Sequence, residues 1–328
     1  MNAKTRIALS RVDWASPNTH VFFFVQLIGV MWFLCLLLNQ FVLNSPIPIR
    51  NLIIIILMVI GRYDIGMWFV TAWRHRYFAH RSFKINPRFL WIEPIVAFIC
   101  SADAQRGVCQ WAAEHIHHHK YSDKPEDHHS CKQNGVQWCH WLWVIKKGDE
   151  RYVDWSSIPH LAKSKALRWI ENRQWIGIVL GGGIFSLIGA LLSIGNFQSF
   201  FFFFFFAFCA HFFSTPILWH CTFLINSAMH LVGKQVYDTG DESRNSLICA
   251  ILTWGEGWHN NHHWDYPSIE TAKRLGGSVK RNSKELYWQG KTFFERKELA
   301  QESRPLSFWN YTKLHFVEAC ISFPKFHF

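Results

Sequence analysis

The chain holds nineteen histidines, and many of them crowd into four short stretches. These are 75-HRYFAH-80, 115-HIHHH-119, 226-NSAMH-230 and 255-GEGWHNNHH-263. Neutral imidazole binds Fe, Zn, Cu and Ni, so the question is whether the spacing lets several rings reach one ion. His115, His118 and His119 form an H-x-x-H-H box, and His259, His262 and His263 form a second. Positions i, i+3 and i+4 of a helix share a face, so each box is predicted to aim three imidazoles at one point. Asn226 and His230, four apart, are predicted to share a face too. His75 and His80 are five apart. On a straight α-helix they splay by about 140°, so they either meet two different metals or sit where the helix ends. Nine histidines and one asparagine are too many for one ion; the count suits two.

A rival metal site has the same text. Glu114 and His117, and Glu256 and His259, each read E-x-x-H, as in soluble di-iron carboxylate bundles. That site also needs bare carboxylates from two other helices. Glu93 is the one candidate, and His118, His119, His262 and His263 would be left without a role. A single histidine pair at helical spacing is usually surface chemistry. Two H-x-x-H-H boxes and a third cluster on one side of a membrane argue for ligands.

The elements that must carry these boxes are unusually apolar. Half of the 328 residues are hydrophobic and 17% are charged, below the roughly 25% of soluble domains. Four stretches, about 21–43, 52–73, 176–194 and 199–225, are long enough to span a bilayer, which takes about 20 apolar residues. Arg62 and Asp64 interrupt the second; they either face the protein interior or mark a helix broken at Gly61. The connections within the two pairs are short. Segments 74–175 and 226–328 hold most of the Lys and Arg, so the positive-inside rule puts both termini in the cytoplasm. Stretch 88–100 is too short to span and reads as an interfacial or buried helix; 155–175 reads as a segment lying along the membrane. The net charge is +11, but no compact basic nucleic-acid motif is present. The nine cysteines form no C-x-x-C pair, which argues against a zinc ribbon, a redox motif or a disulfide scaffold. The polar N-terminus carries no cleavage pattern, predicting no removable signal peptide.

The ordered set HRYFAH, EHIHHHKYSD with Asp127 and His129 beyond it, NSAMH and GEGWHNNHH resembles the integral-membrane fatty acid desaturases. It is most similar to the acyl-CoA branch (stearoyl-CoA, delta-9 type). The text 241-DESRN-245 looks more like bacterial members than animal ones. The likeness covers roughly residues 14–267. It implies an all-α integral membrane protein: four transmembrane helices in two hairpins, with a cytoplasmic helical cap holding a His-rich di-metal site. The setting would be a bacterial inner membrane, or the endoplasmic reticulum of a eukaryote. Residues 1–267 would form this domain and 268–328 a diverged cytoplasmic tail.

The resemblance further implies two iron ions held by His75, His80, His115, His118, His119, His230, His259, His262 and His263. Asn226 would touch one iron through water. Gln105, Trp111 and Thr222 would line the bend of the acyl tunnel. Carboxylates such as Asp123, Asp127 and Glu256 are available to orient the rings. The implied reaction uses O2 to remove hydrogen from two adjacent methylenes of an acyl-CoA, giving a cis double bond at the ninth carbon and water. The alternatives are a membrane lipid hydroxylase, a desaturase of lipid-bound chains, or a degenerate metal-binding homologue. Electrons must come from a separate ferredoxin or cytochrome b5-like donor and its reductase, because the chain has no haem text or cysteine set of its own. Ile116 stands where the family usually has Arg, 108-VCQ-110 departs from the family text, and the likeness ends at Pro267. The resemblance therefore does not extend to the head-group end of the site.

Overall fold

The computed structural model describes residues 9–41, 47–83, 85–148, 153–192 and 197–264. The proposed tail, 268–328, lies outside the described residues. Among them no β-strand forms; three isolated bridges are the only extended pairing. Four helices are long and apolar enough to cross a membrane. They are Pro17–Phe41, Ile49–Ala79, Gln174–Leu192 and Phe197–Asn226, each within a few residues of its predicted span at the start. Their outer faces expose Phe24, Leu27, Leu57, Leu180 and Ile184. Apolar exposure on that scale requires lipid as the solvent.

The fourth span packs against the other three. Pro216 interrupts it and, lacking an N–H, cannot bond the carbonyl of Phe212. Gly29 of the first span packs there; a Cβ at that position would lie 2.9 Å from the freed oxygen. On the third span, Gly177 lets the Ile92–Ser101 helix approach: a Cβ would lie 2.8 Å from the Phe98 carbonyl. That helix buries Val96, Ala97 and Cys100 and exposes Ile95 and Ile99, matching the interfacial reading of 88–100. The 155–175 stretch divides into Pro159–Ala162 and Lys165–Glu171, with Trp169 and Trp175 exposed and Leu167 and Ile170 buried.

The second span runs unbroken through Gly61. Arg62 turns inward and donates from Nε to His211 Nδ1 at 3.0 Å and from NH2 to the Ala102 carbonyl at 3.3 Å. Asp64 accepts from Trp254 Nε1 at 3.4 Å. Both charges thus have polar partners inside the protein, as intramembrane charges must. His220, also within a span, meets His140 Nε2 at 3.0 Å and Gln26 at 3.3 Å.

Above Trp68 the second span changes hand-hold. Phe69–Ala79 is a π-helix, with bonds such as His80 N–H to His75 O at 3.0 Å. Fully buried Arg74 fixes this stretch to the following loop. It pairs with Asp103 at 2.7 Å and donates to the carbonyls of Cys100, Gln105 and Arg106. The cysteines are not wholly scattered in space: Cys131 and Cys139 form a disulfide across two short cap helices. One bridge is not a scaffold, but the absence of a C-x-x-C pair gave no sign of it.

Candidate metal centre

The first box lies on the helix Val108–Tyr121. Its N-terminal amides are not left bare. Cys109 N–H donates to Glu171 Oε2 at 2.9 Å and Gln110 N–H to Oε1 at 3.2 Å. The residues 108-VCQ-110 thus anchor the box helix on a buried carboxylate. Burial pushes the Glu171 carboxyl up from its ordinary range, against the pull of those two amides. The second box lies on the short helix His259–Trp264. His230 comes from a 3-10 turn, Ala228–His230, beyond the end of the fourth span.

Nine histidines gather into two groups. His75, His80, His115, His119 and His262 form one; His118, His230, His259 and His263 form the other. Within each group the nearest ring nitrogens all lie within 4.8 Å of one another. This corrects the expectation that each H-x-x-H-H box aims at one point. Each box straddles both groups. His115 and His119 enter the first and His118 the second; His259 and His263 enter the second and His262 the first. The i and i+4 rings stay together, while the i+3 ring, 100° from its i+4 neighbour at 3.6 residues per turn, reaches across.

His75 and His80 are not divided between two groups. The π-helix sets residues five apart one above the other, and their ring centroids are 4.7 Å apart. Asn226 and His230 do not share a helical face, because the helix ends between them. Asn226 instead faces a cavity beside His115.

The nitrogens meet tip to tip. In the first group the Nε2–Nε2 distances are 3.0 Å for His75–His262, 2.9 Å for His262–His119, 3.0 Å for His119–His115 and 2.8 Å for His115–His80. In the second, His230 and His259 are 3.1 Å apart. One Nε2 carries either a proton or a lone pair, so His115, which meets two neighbours, satisfies both poorly by hydrogen bonding alone. A first-row metal about 2.0–2.1 Å from each nitrogen sets neighbouring nitrogens on a right-angled coordination edge about 2.9 Å apart. In the second group His118 Nε2 and His263 Nε2 are buried with no hydrogen-bond partner among the described residues. The donor set fits two metal ions.

The far sides of four rings are tied down. His75 Nδ1 meets Glu256 at 2.6 Å, His118 meets Asp127 at 3.0 Å, His230 meets Asp123 at 3.0 Å and His263 meets Asp241 at 2.6 Å. A proton on Nδ1 leaves the Nε2 lone pair for a metal. Asp241 was not among the carboxylates read from the sequence. The text DESRN was visible, but nothing in it points to a ring 22 residues on. Burial favours the neutral form of Asp127 and Asp241, but His118 beside the first and His263 beside the second hold both carboxyls well below their ordinary range. Burial would raise Asp123 as well, yet His230 and its other donors bring it down to about 2. Burial and mutual repulsion hold His80, His115, His119, His259 and His262 well below the usual imidazole range. They are uncharged donors at neutral pH, the form a metal needs.

The carboxylates of the rival reading point elsewhere. Glu114 pairs with Arg106, Glu256 with His75 Nδ1, and Glu93 accepts from Tyr77. His117 turns away from both groups, bonding the Glu126 carbonyl at 2.9 Å and stacking on His128. His129 lies against His118, ring centroids 4.2 Å apart, and His140 bonds Ser227 Oγ at 2.8 Å.

Beside the first group opens a cavity of about 70 Å³, whose wall includes His115, Asn226, Gln105, Trp111 and Thr222. Gln105 Nε2 donates to Thr222 Oγ1 at 3.2 Å. The three residues expected at the tunnel bend therefore meet, though they come from three different segments. Phe22, Trp219 and Phe223 of the first and fourth spans close the apolar side. Ile116 is buried in the hydrophobic core, so the position of the missing Arg faces neither the cavity nor the surface.

Residues 49–271 match the pattern of the fatty acid desaturase family. The chain is 31% identical to the sn-2 palmitoyl-lipid 9-desaturase of Nostoc sp. (strain 36), over 60% of this chain and 64% of that protein. It is 30% identical to the sn-1 stearoyl-lipid 9-desaturase of Synechocystis sp., over 75% of this chain and 69% of that one. It is also 30% identical to the icosanoyl-CoA 5-desaturase of Limnanthes douglasii, over 64% and 54%. The chain thus spans less than two thirds of the length of several relatives it matches. With the matched segment covering all four histidine stretches and most of the cavity wall, the chain belongs to the fatty acid desaturase family.

Proposed function

We propose that the chain is an O2-dependent desaturase that places a cis double bond, at the ninth carbon, in a saturated acyl chain. The observation that carries this reading is the pair of buried histidine groups beside the cavity lined by Gln105, Trp111 and Thr222. The nine histidines would hold two irons, with Asn226 reaching one of them through water. Bound iron would supply the O2 chemistry that breaks unactivated C–H bonds, which no side chain can do. The protein's part is position. Asp123, Asp127, Asp241 and Glu256 fix four rings, and Trp111 and Thr222 shape the wall past which the chain must bend. An alkyl chain has no polar handle, so distance from a fixed head group decides which carbon faces the metals.

The histidine text favours an acyl-CoA as substrate. A second carrier, a glycerolipid, is favoured by two observations. The relatives from Nostoc and Synechocystis are named for lipid-bound chains, and the core position of Ile116 offers no cation to an anionic head. Electrons come from a separate ferredoxin or cytochrome b5-like protein and its reductase. The charge pattern favours an orientation with both termini and the histidine cap in the cytoplasm.

The test is the fatty acid profile of an aerobic host without its own desaturase, expressing the chain or His118→Ala. A new monounsaturated acid with the intact chain alone supports the reading, and its double-bond position tests the ninth-carbon assignment. Membranes supplied with labelled acyl-CoA or labelled glycerolipid then distinguish the carriers. An unchanged profile, with a working donor and the protein present in membranes, overturns the proposal.

A further inference from the structure

The helix Leu247–Leu252 is packed inside out. Its buried side is the small pair Cys249 and Ala250, and its exposed side is Leu247, Ile248, Ile251 and Leu252. Ile248 is 72% exposed and Ile251 69%, as open as the outer faces of the spans. On a water-facing helix the larger aliphatic residues turn inward. No charged residue occurs from Ser246 to Gly255.

Its height is fixed by hydrogen bonds to the second span. Thr71 Oγ1 donates to the Thr253 carbonyl at 3.3 Å, and the Tyr63 hydroxyl donates to the Leu252 carbonyl. Trp254 reaches down to Asp64 and packs with Met67, Val70 and Leu218. Counted from Ile49, about 20 residues at 1.5 Å each cover the hydrocarbon, so the second span leaves it near Trp68. Residues 252–254 are therefore pinned at the hydrocarbon edge, with a tryptophan at the depth this residue prefers.

We infer that Leu247–Leu252 is a further membrane-contacting element, an interfacial helix whose Leu247, Ile248, Ile251 and Leu252 side chains lie in the acyl region of the bilayer. The helix packs against the fourth span, and its C-terminal end is tied by hydrogen bonds to the second. It also leads straight into the second histidine box. Ser246 N–H bonds the Gly257 carbonyl at 2.9 Å, and Gly255 N–H bonds that of Ala250 at 2.7 Å. The bilayer thus helps to hold Glu256 and His259 in place. This inference stands whether or not the proposed reaction is correct.

The test uses the full chain in phosphatidylcholine–phosphatidylglycerol nanodiscs carrying a lipid with a photoactivatable diazirine in its acyl tail. Labelled peptides are read by mass spectrometry. Peptides covering 247–252 are expected to label like those of the second span, and about tenfold above the polar 234–245 loop. I248K together with I251K is expected to lower that labelling about tenfold, because lysine is expelled from hydrocarbon, while the second-span peptides keep theirs. Labelling no higher than the loop overturns the inference, as does labelling that the two lysines leave unchanged. Labelling that appears only after removal of residues 268–328 also overturns it, since the tail and not lipid would then cover the face.

Discussion

Glu171 lies 56 residues beyond His115 and touches no candidate ligand, yet it should decide whether the first box is in place. Its carboxylate receives two amides of the first turn of the box helix, Cys109 and Gln110, and the residue is 6% exposed. Glu171→Ala leaves two buried N–H groups unpaired. Each costs about 1–3 kcal/mol, so the two together cost about 2–6 kcal/mol. For a domain of this size each kcal/mol moves the midpoint by about 2–4 °C, so a fall of about 4–24 °C is expected. Glu171→Gln keeps one acceptor and sheds the buried charge. The sign follows from burial. A carboxyl whose folded pKa is raised stabilises most below its unfolded value, and that contribution is lost as pH rises through the folded pKa. At neutral pH the Gln variant should therefore lose less than the Ala variant. Gly107→Ala is an independent route to the same defect, because its new Cβ would overlap the Glu171 carboxylate. The assay is thermal unfolding in detergent, followed by fluorescence-detected size exclusion, with metal content measured alongside. If Glu171→Ala melts with the intact protein, or Glu171→Gln is as damaging as Glu171→Ala, the capping argument is wrong.

Because each box straddles both groups, His118→Ala and His119→Ala should each lower bound metal by about one ion per chain, read by elemental analysis of purified protein; a single substitution that strips both ions would contradict the grouping. Asp241→Asn keeps the shape but removes the charge holding His263, and should weaken metal retention about 10–100-fold in a chelator competition with little change in melting; unchanged retention would show that Asp241 does not tune the ring. Arg74→Met strands the buried Asp103 carboxylate and should cost about 3–5 kcal/mol, seen as a lower melting midpoint. Adding Asp103→Asn should recover part of that loss, and failure to do so would mean that the carbonyl contacts of Arg74 matter more than the ion pair.

The four spans were legible because their signal is local: twenty apolar residues in a row need no partner to be recognised. The nine histidines were legible for the same reason, as ring spacing shows in text. Their division was not. Helical periodicity says that His115, His118 and His119 lie on one side of a helix, but not whether that side faces one ion or lies between two. The answer depends on where His75, His80, His230 and the second box arrive, and those contacts cross up to 187 residues. The π-helix that brings His75 and His80 together has no periodicity of its own to read. Asp241 reaches His263, and Arg62 reaches His211, only because the chain folds back. Composition, span and ligand type are properties of the sequence by itself. Which ring meets which, and what lies behind it, follows from tertiary packing, because metal chemistry is decided by ångströms between residues that the sequence holds far apart.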